Sequence, residues 1–345
     1  MTYRIAINGY GRIGRTVLRA LYERAFRDAM EVVAINDIAG SEARAHLTKY
    51  DSVHGRFPRE AALEGDRLAI GTDRIALLNE PRMDRLPWGE MGIDLALDCT
   101  GLCLSRDHAE KHLASGAPRV LLSYPGPADV DRTVVRGVNH DLVSPADRIV
   151  SNASCTSNCL VPVLKTIDDA YVIECGQVTT IHAAMHDQPV NDAYFHADLR
   201  RTRAAERSMV PVDTHLGSGI ARVLPGLEGR IEAIAVRVPS VNVSAMDITL
   251  MVRSSVTAEG VNRVLDEASR GALRGILGVS VEPLVSCDFH RDDRSAVIDA
   301  PLTRVSGRRL VKLLAWFDNE WAYAVRMCET AKLLCGYASQ GGYGD

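Results

Sequence analysis

The 345-residue sequence holds no uninterrupted apolar run approaching the ~18 residues that a membrane-spanning helix needs, which excludes a helical integral membrane protein. It holds no internal repeat and no low-complexity tract, so solenoids and compositional linkers drop out. Room for a secretory signal peptide is missing, because Met1-Thr2-Tyr3-Arg4 runs at once into a strand-like segment. Lysine is scarce, five against 35 arginines, so small arginine clusters arise by chance and solvated surface is their ordinary reading. A net charge of −4 offers no global pull toward nucleic acid or anionic membrane.

What is present is the composition of an ordinary soluble globular protein, 46% apolar and 24% charged, in a chain comfortable for two domains. Eight cysteines without an export signal read as free thiols in a reducing compartment, so the expected location is the cytoplasm.

Arg4–Asn8 reads as a buried strand and Arg12–Arg24 as a helix with Ile13, Val17, Leu18 and Leu21 inward. Glu31–Asn36 is a second strand, followed by a helix over Ser41–Tyr50. Short strands follow near Leu68–Ile70 and Arg74–Leu78. Asp94–Asp98 and Arg119–Leu122 then flank a helix starting near Ser105, and Arg148–Ser151 closes this half. Strands alternating with helices imply an α/β domain with a doubly wound, largely parallel sheet. From Cys155 a helix runs to about Ala170, and long strands then dominate: Gly176–Ala184, Ile231–Val238, Ala245–Arg253 and Arg309–Phe317. One helix, near Ala258–Ser269, interrupts them, which implies a second, α+β domain on a mixed or antiparallel sheet. A last amphipathic helix runs from near Glu320 to around Cys335, and the tail from Gln340 to Asp345 reads as frayed.

Gly9-Tyr10-Gly11-Arg12-Ile13-Gly14 matches G-x-G-x-x-G after a strand and at the opening of a helix, the Rossmann-type arrangement. Gly9 permits the tight turn, Gly11 admits a pyrophosphate to the backbone, and Gly14 lets helix pack on strand. The helix N-terminus, with Arg12 and Ile13 in its first turn, favours the anion. Asp37, about twenty residues beyond Gly14, stands where a carboxylate accepts from a ribose diol and repels a 2′-phosphate. Taken alone it reads equally as a turn cap; with the glycines it points to NAD rather than NADP.

Ser151 to Cys159 is small and polar and precedes the apolar run Leu160–Leu164, which puts Cys155 at a helix N-terminus, where a thiolate is favoured. Cys159 reads as core. His182 lies in an otherwise apolar or β-branched strand, where it is either a satisfied core histidine or a base paired with the cysteine. Cys155, Cys159, His182 and His186 could instead suggest zinc, but two histidines four residues apart on a strand lie ~13 Å apart and cannot share an ion. No metal site is expected.

Asn8–Arg15, Ser154–Asn158, Thr179–His182, Arg237-Val238-Pro239 and Trp316–Trp321 together resemble the glyceraldehyde-3-phosphate dehydrogenase family over nearly the whole chain. Within it, Ser123–Gly126, Ala184–Gln188 and Asp198–Arg203 resemble the branch that oxidises erythrose 4-phosphate. The resemblance implies domains at 1–154 and 155–317, the first binding NAD and completed by a returning C-terminal helix at 318–345. It makes Cys155 the nucleophile and His182 its base. Asn319 holds the nicotinamide amide and Tyr323 packs near that ring. Ser154, Thr156, Thr214 and Arg201 line one anion site, and Arg237 and Asp187 the other. A homotetramer, a small sugar-phosphate aldehyde as substrate and a place in pyridoxine biosynthesis are implied in the same way. One departure stands out: where phosphorylating members carry a threonine, three residues after the histidine, this chain has Met185, which cannot donate a hydrogen bond.

The implied reaction is oxidation of the aldehyde through a hemithioacetal and thioester on Cys155, released by water or by inorganic phosphate. The alternatives are a phosphorylating glyceraldehyde-3-phosphate dehydrogenase with the same machinery and a non-catalytic NAD-binding redox sensor. An RNA-binding role for Arg200–Arg207 runs against the negative net charge.

Overall fold

The computed structural model describes residues 2–103, 105–185, 187–194 and 198–338. The tail from Gln340 and His186 lie outside the described residues. The chain divides into two compact units, Met1–Ser154 with Ala324–Asp345, and Cys155–Tyr323. The division falls inside the last helix, a few residues beyond the limit of 317 expected from the sequence.

In the first unit, β1 (Tyr3–Asn8), α1 (Arg12–Glu23), β2 (Met30–Asn36) and α2 (Ser41–Lys49) form the opening βαβα run. A two-residue ladder, β3 (Tyr50–Asp51) with β4 (Gly55–Arg56), precedes β5 (Ala61–Glu64), β6 (Arg67–Ile70) and β7 (Asp73–Leu78). Then come β8 (Leu95–Asp98), α3 (Arg106–Ala114), β9 (Val120–Leu122), β10 (Arg132–Thr133) and β11 (Ile149–Ser151). The sheet order is β10-β11-β9-β8-β1-β2-β7-β6-β5, parallel from β10 through β7 and antiparallel over the last two pairs. Parallel strands are covered on both faces, and Ile5, Ala6, Ile7, Ala34 and Ile35 are accordingly all buried. α1 has the period that lays Val17, Leu18 and Leu21 in the core.

The chain winds from β1 outward to β2 on one side and from β8 to β9 on the other. Asn8 therefore pairs with Asn36 of β2 and with Asp98 of β8, so three polar residues meet at the carboxyl ends of adjacent strands. In open α/β sheets this switch of direction opens the ligand crevice.

The second unit begins with α4 (Cys155–Tyr171) and β12 (Ile173–Ala183), followed by β13 (Val210–Val212), α5 (Leu216–Ala221), β14 (Ile231–Val238), β15 (Ser244–Val252) and α6 (Ala258–Arg270). β16 (Leu277–Ser280), β17 (Ala296–Asp299), β18 (Arg304–Ser306), β19 (Leu310–Phe317) and the start of α7 (Trp321–Ala338) complete it. Its sheet is mixed, in the order β13-β14-β12-β15-β19-β17-β16, with β18 beside β19. α4 buries Leu160, Val161, Val163 and Leu164 and packs on β12, β15 and β17 with α6 beside it. The side chain at the first residue of α4 is thus fixed against the carboxyl end of β12. Among the described residues no helix is long and apolar enough to cross a membrane.

Candidate active site

The glycine turn takes the form its residue types require. Gly9 has φ 89°, and a Cβ there would lie 2.7 Å from the backbone of Cys99 and Thr100. A Cβ on Gly14 would overlap the Gly9 carbonyl oxygen. Gly11 differs, since nothing lies within 4 Å of a Cβ built on it. It is the N-cap of α1, with no side-chain cap and no acidic residue in the first turn. The first turn of a helix leaves N–H groups without intrahelical acceptors, so this bare end with open space before it fits a pyrophosphate. The Arg12 side chain pairs with Asp51 at 2.5 Å. Burial pushes the Asp51 carboxyl up, but the His54 N–H and the Arg12 guanidinium outweigh it and hold it at about 2.

Asp37 accepts from the N–H of Tyr10 at 2.6 Å and of Ala39 at 2.8 Å. It is therefore a turn cap, and this does not disqualify it as a ribose ligand. A carboxylate offers about four acceptor sites, and the two N–H groups fix its plane while leaving others for a diol.

A buried network that the sequence reading missed lies at the switch point. Asp98 accepts through Oδ1 from the Thr100 N–H and hydroxyl and from the Tyr124 hydroxyl, at 2.7–3.0 Å. Through Oδ2 it accepts from Asn8 at 3.1 Å and from His112 Nε2 at 2.8 Å. Trp88 donates to His112 Nδ1 at 3.0 Å. Indole is a donor only, so Nδ1 carries the lone pair and Nε2 carries the proton. Cys103 completes a buried Asp, Cys and His group with metal-ligand spacing. A cation at Nε2 would have to displace that proton and leave an imidazolate under the Trp88 N–H, so the arrangement reads as a structural hydrogen-bond network. The one signal in the sequence was a carboxylate ending the apolar strand Leu95-Ala96-Leu97.

In the second unit, Cys155 is the first residue of α4, just after Ala153 in the left-handed region at φ 55°. Its Sγ lies 3.7 Å from His182 Nε2. His182 Nδ1 is 2.8 Å from the Ala183 carbonyl oxygen, which can only accept, so Nδ1 carries the proton and Nε2 turns its lone pair to the thiol. His182 is thus a base candidate as well as a buried strand residue. The helix-end N–H groups favour the expected thiolate, and burial opposes it. Burial pushes the Cys155 thiol up to about 12, although the N–H groups of Thr156 and Cys155 pull it down, and the carboxylates of Glu320 and Asp318 push it further up. Burial also lowers the His182 imidazole, against its bond to Ala183. Burial opposes either charge alone, so thiolate and imidazolium are favoured only as a pair, formed by proton transfer across the 3.7 Å contact. Cys155 keeps partial exposure, whereas Cys159, one turn on, is buried as expected.

Arg237 on β14 is the register partner of His182. Its Nη1 lies 2.7 Å from Asp187, and Arg201 pairs with the same carboxylate. Arg201 and Arg237, assigned to separate anion sites from the sequence, are thus joined through one carboxylate. Burial lowers the pKa of Arg201, and the neighbouring Arg237 charge lowers it further. Met185 is 40% exposed and opens the turn that carries Asp187. Ser154 and Thr156 flank the cysteine, and the Thr214 hydroxyl accepts from Leu216 N–H at 3.2 Å, opening α5. In the cluster at 200–207, Arg203 pairs with Asp192 at 3.0 Å.

Asp318 starts α7: its Oδ1 accepts from the N–H of Glu320 and Trp321, at 3.0 and 2.8 Å, and its Oδ2 from Asn242 and Arg291, both at 2.8 Å. That cap fixes Asn319 on one side and the buried Tyr323 in the first turn on the other. Separation of His182 from His186 by ~13 Å, and with it the exclusion of a shared zinc ion, requires one strand carrying both. The strand ends at Ala183, before His186, so that spacing no longer bears on the question.

Residues 154–319 match the family described as glyceraldehyde 3-phosphate dehydrogenase, C-terminal domain, and residues 3–106 match its NAD binding domain. Together the matches span most of the chain.

Proposed function

The chain belongs to the glyceraldehyde-3-phosphate dehydrogenase family and is an NAD-dependent oxidoreductase, and from that premise we propose that it oxidises the aldehyde of erythrose 4-phosphate to 4-phosphoerythronate through a thioester on Cys155. The observation that carries the chemistry is the aligned pair: Cys155 Sγ 3.7 Å from a His182 Nε2 whose other nitrogen is tied to Ala183.

In this reading the Cys155 sulfur attacks the aldehyde carbon as its proton passes to His182. The resulting oxyanion is stabilised by the N–H of Cys155 at the helix end. It collects its proton to give the hemithioacetal. His182, relieved of its proton, then removes it again as the carbonyl of the thioester re-forms. NAD supplies the acceptor for the hydride leaving that carbon. Once His182 has released that proton to solvent, it takes a proton from a water that attacks the thioester carbon, and it returns this proton to the departing Cys155 sulfur as the acid is freed. Gly9, Gly11, Arg12, Ile13, Gly14 and Asp37 would hold the adenosine and pyrophosphate end of NAD, and Asn319 and Tyr323 its nicotinamide end. Arg201, Arg237 and Asp187, with Ser154, Thr156 and Thr214, would bind the phosphate ends, since guanidinium groups are preferred partners of phosphate. The proposed assembly is a homotetramer, which mass measurement in solution tests directly.

The substrate choice rests on Met185. With C1 fixed on Cys155, the phosphate of a four-carbon aldehyde reaches further than that of a three-carbon one. A methionine in place of a hydroxyl removes one hold on the nearer phosphate, roughly 1–3 kcal/mol or five- to a hundredfold in efficiency. We expect higher kcat/KM for erythrose 4-phosphate than for glyceraldehyde 3-phosphate, and turnover that persists without inorganic phosphate. Met185→Thr should shift the balance toward the three-carbon aldehyde. Side-by-side assays of NADH production from both aldehydes, with and without phosphate, decide the matter. Strict phosphate dependence with preference for the three-carbon substrate identifies a phosphorylating glyceraldehyde-3-phosphate dehydrogenase instead, and no turnover of either favours the redox sensor.

A further inference from the structure

Three strand ends converge beside His182. β15 lies between β12 and β19, and its first residue, Ser244, is the register partner of Phe317 at the end of β19. On its other side β15 runs antiparallel to β12, with Ala245 opposite Ile181. The Ser244 hydroxyl thus stands between the last residues of both neighbours, and it is 1% exposed.

Its hydrogen bonds have a fixed direction. The Ala183 N–H donates to Ser244 Oγ at 3.0 Å, and the hydroxyl donates in turn to Asn319 Oδ1 at 3.0 Å. With the Asn319 oxygen held by Ser244, the amide nitrogen is turned the other way and presents its donors. The Ala183 peptide meanwhile takes the His182 Nδ1 proton on its carbonyl at 2.8 Å. One residue, Ala183, therefore orients the base through its C=O and, by way of Ser244, orients Asn319 through its N–H, using the peptide groups on either side of its Cα.

We propose that Ser244 is a positioning residue that fixes the amide of Asn319 as a hydrogen-bond donor toward the carboxamide oxygen of the nicotinamide, and ties that orientation to Ala183, the residue whose carbonyl holds His182. The inference rests on the reading of Asn319 as the nicotinamide-binding residue. Without the hydroxyl, the Asn319 amide is released to rotate, and an orientation with the oxygen outward sets acceptor against acceptor at the carboxamide oxygen. Buried hydrogen bonds of this kind act as a unit, so their loss is not additive.

The test is a double-mutant cycle on the full chain, reading the NAD dissociation constant by titration calorimetry, kcat, and Tm. Ser244→Ala should weaken NAD at least fivefold and lower kcat, and Asn319→Ala should weaken NAD at least as much. The double variant should bind no more than about twofold more weakly than Asn319→Ala alone. Ser244→Thr, which keeps the hydroxyl, should restore NAD affinity, and Ser244→Cys, isosteric with a weak donor, should fall between. Should Ser244→Ala not fold, the Thr and Cys variants carry the same comparison. Additive losses, or Ser244→Ala and Ser244→Cys both binding NAD normally while Asn319→Ala does not, would overturn the inference and leave the Asn319 reading standing. Normal NAD binding by Asn319→Ala would overturn the reading beneath it.

Discussion

The N-termini of α1 and α4 each follow closely on a strand, β1 and β11, yet one stands open and the other is filled from within the chain. At α1 the cap position is a glycine with empty space beyond its backbone, and the cap residue itself offers no side-chain acceptor to the N–H groups. At α4 the first residue supplies its own candidate anion, the Cys155 sulfur, toward which the N–H groups of Cys155 and Thr156 are directed. The same backbone dipole thus serves a ligand in one place and a nucleophile in the other. Whether a side chain occupies the end decides between them.

The largest effect that separates the two should come from α4. Cys155→Ala is expected to lower aldehyde oxidation by about 10⁴-fold or more while leaving NAD binding intact, measured by turnover and calorimetry. His182→Asn should slow iodoacetamide alkylation of Cys155. In that variant the rate should climb about tenfold per pH unit between pH 7 and 9, because burial places the lone thiol near 12 and only the thiolate reacts. With His182 present the profile should be flatter. Identical profiles for the two proteins would remove His182 from the site.

At α1 the glycines should divide. Gly14→Ala must push against the Gly9 carbonyl and should cost roughly 3 kcal/mol of stability, seen as a lower Tm. Gly11→Ala meets no protein atom and should leave Tm unchanged, yet weaken NAD by at least about tenfold because its methyl occupies the space before the helix end. A shared loss of Tm would show that the open end is structural.

A smaller effect belongs to the ion pair at the first residue of α1. The Asp51 carboxyl lies at about 2 in the folded chain against an ordinary 3.8, so it stabilises the fold above pH 4 and loses that contribution as pH falls through about 2. Asp51→Asn should cost about 2 kcal/mol at neutral pH, and the difference from the parent should vanish on acidification, as read by denaturant melts. The smallest change expected is Asp37→Ala, which should weaken NAD roughly tenfold and narrow its advantage over NADP. Equal efficiency of the unaltered protein with both cofactors would dismiss the carboxylate as a selector.

Much of this was legible in the residues because it is local. β1, α1 and β2 carry apolar runs and a helical period long enough to read, and the G-x-G-x-x-G turn brings its own stereochemistry. Cys155 could be put at a helix start because small polar residues give way to Leu160–Leu164. Four short strands of the second unit were not legible, whereas β8, β9 and β11, no longer than these, showed as buried apolar runs. β13, β16, β17 and β18 have three or four residues each, too few for a period, and exist because a neighbour pairs with them. The partners across space were hidden for the same reason. Nothing in the spacing connects Ser244 with Asn319, or Asp98 with His112. Burial opposes the expected thiolate, and a helix-end rule does not contain burial.

The first unit draws its closing segment, Ala324–Ala338 of α7, from beyond the whole of the second. That segment buries Met327, Cys328, Ala331, Leu334 and Cys335, and Thr330 donates to the buried Asn152 at 2.8 Å. During synthesis, the ribosome therefore delivers the dinucleotide-binding half with an apolar seat still empty. The polypeptide must hold that seat unsatisfied, or shielded by a chaperone, until the nascent catalytic half has emerged.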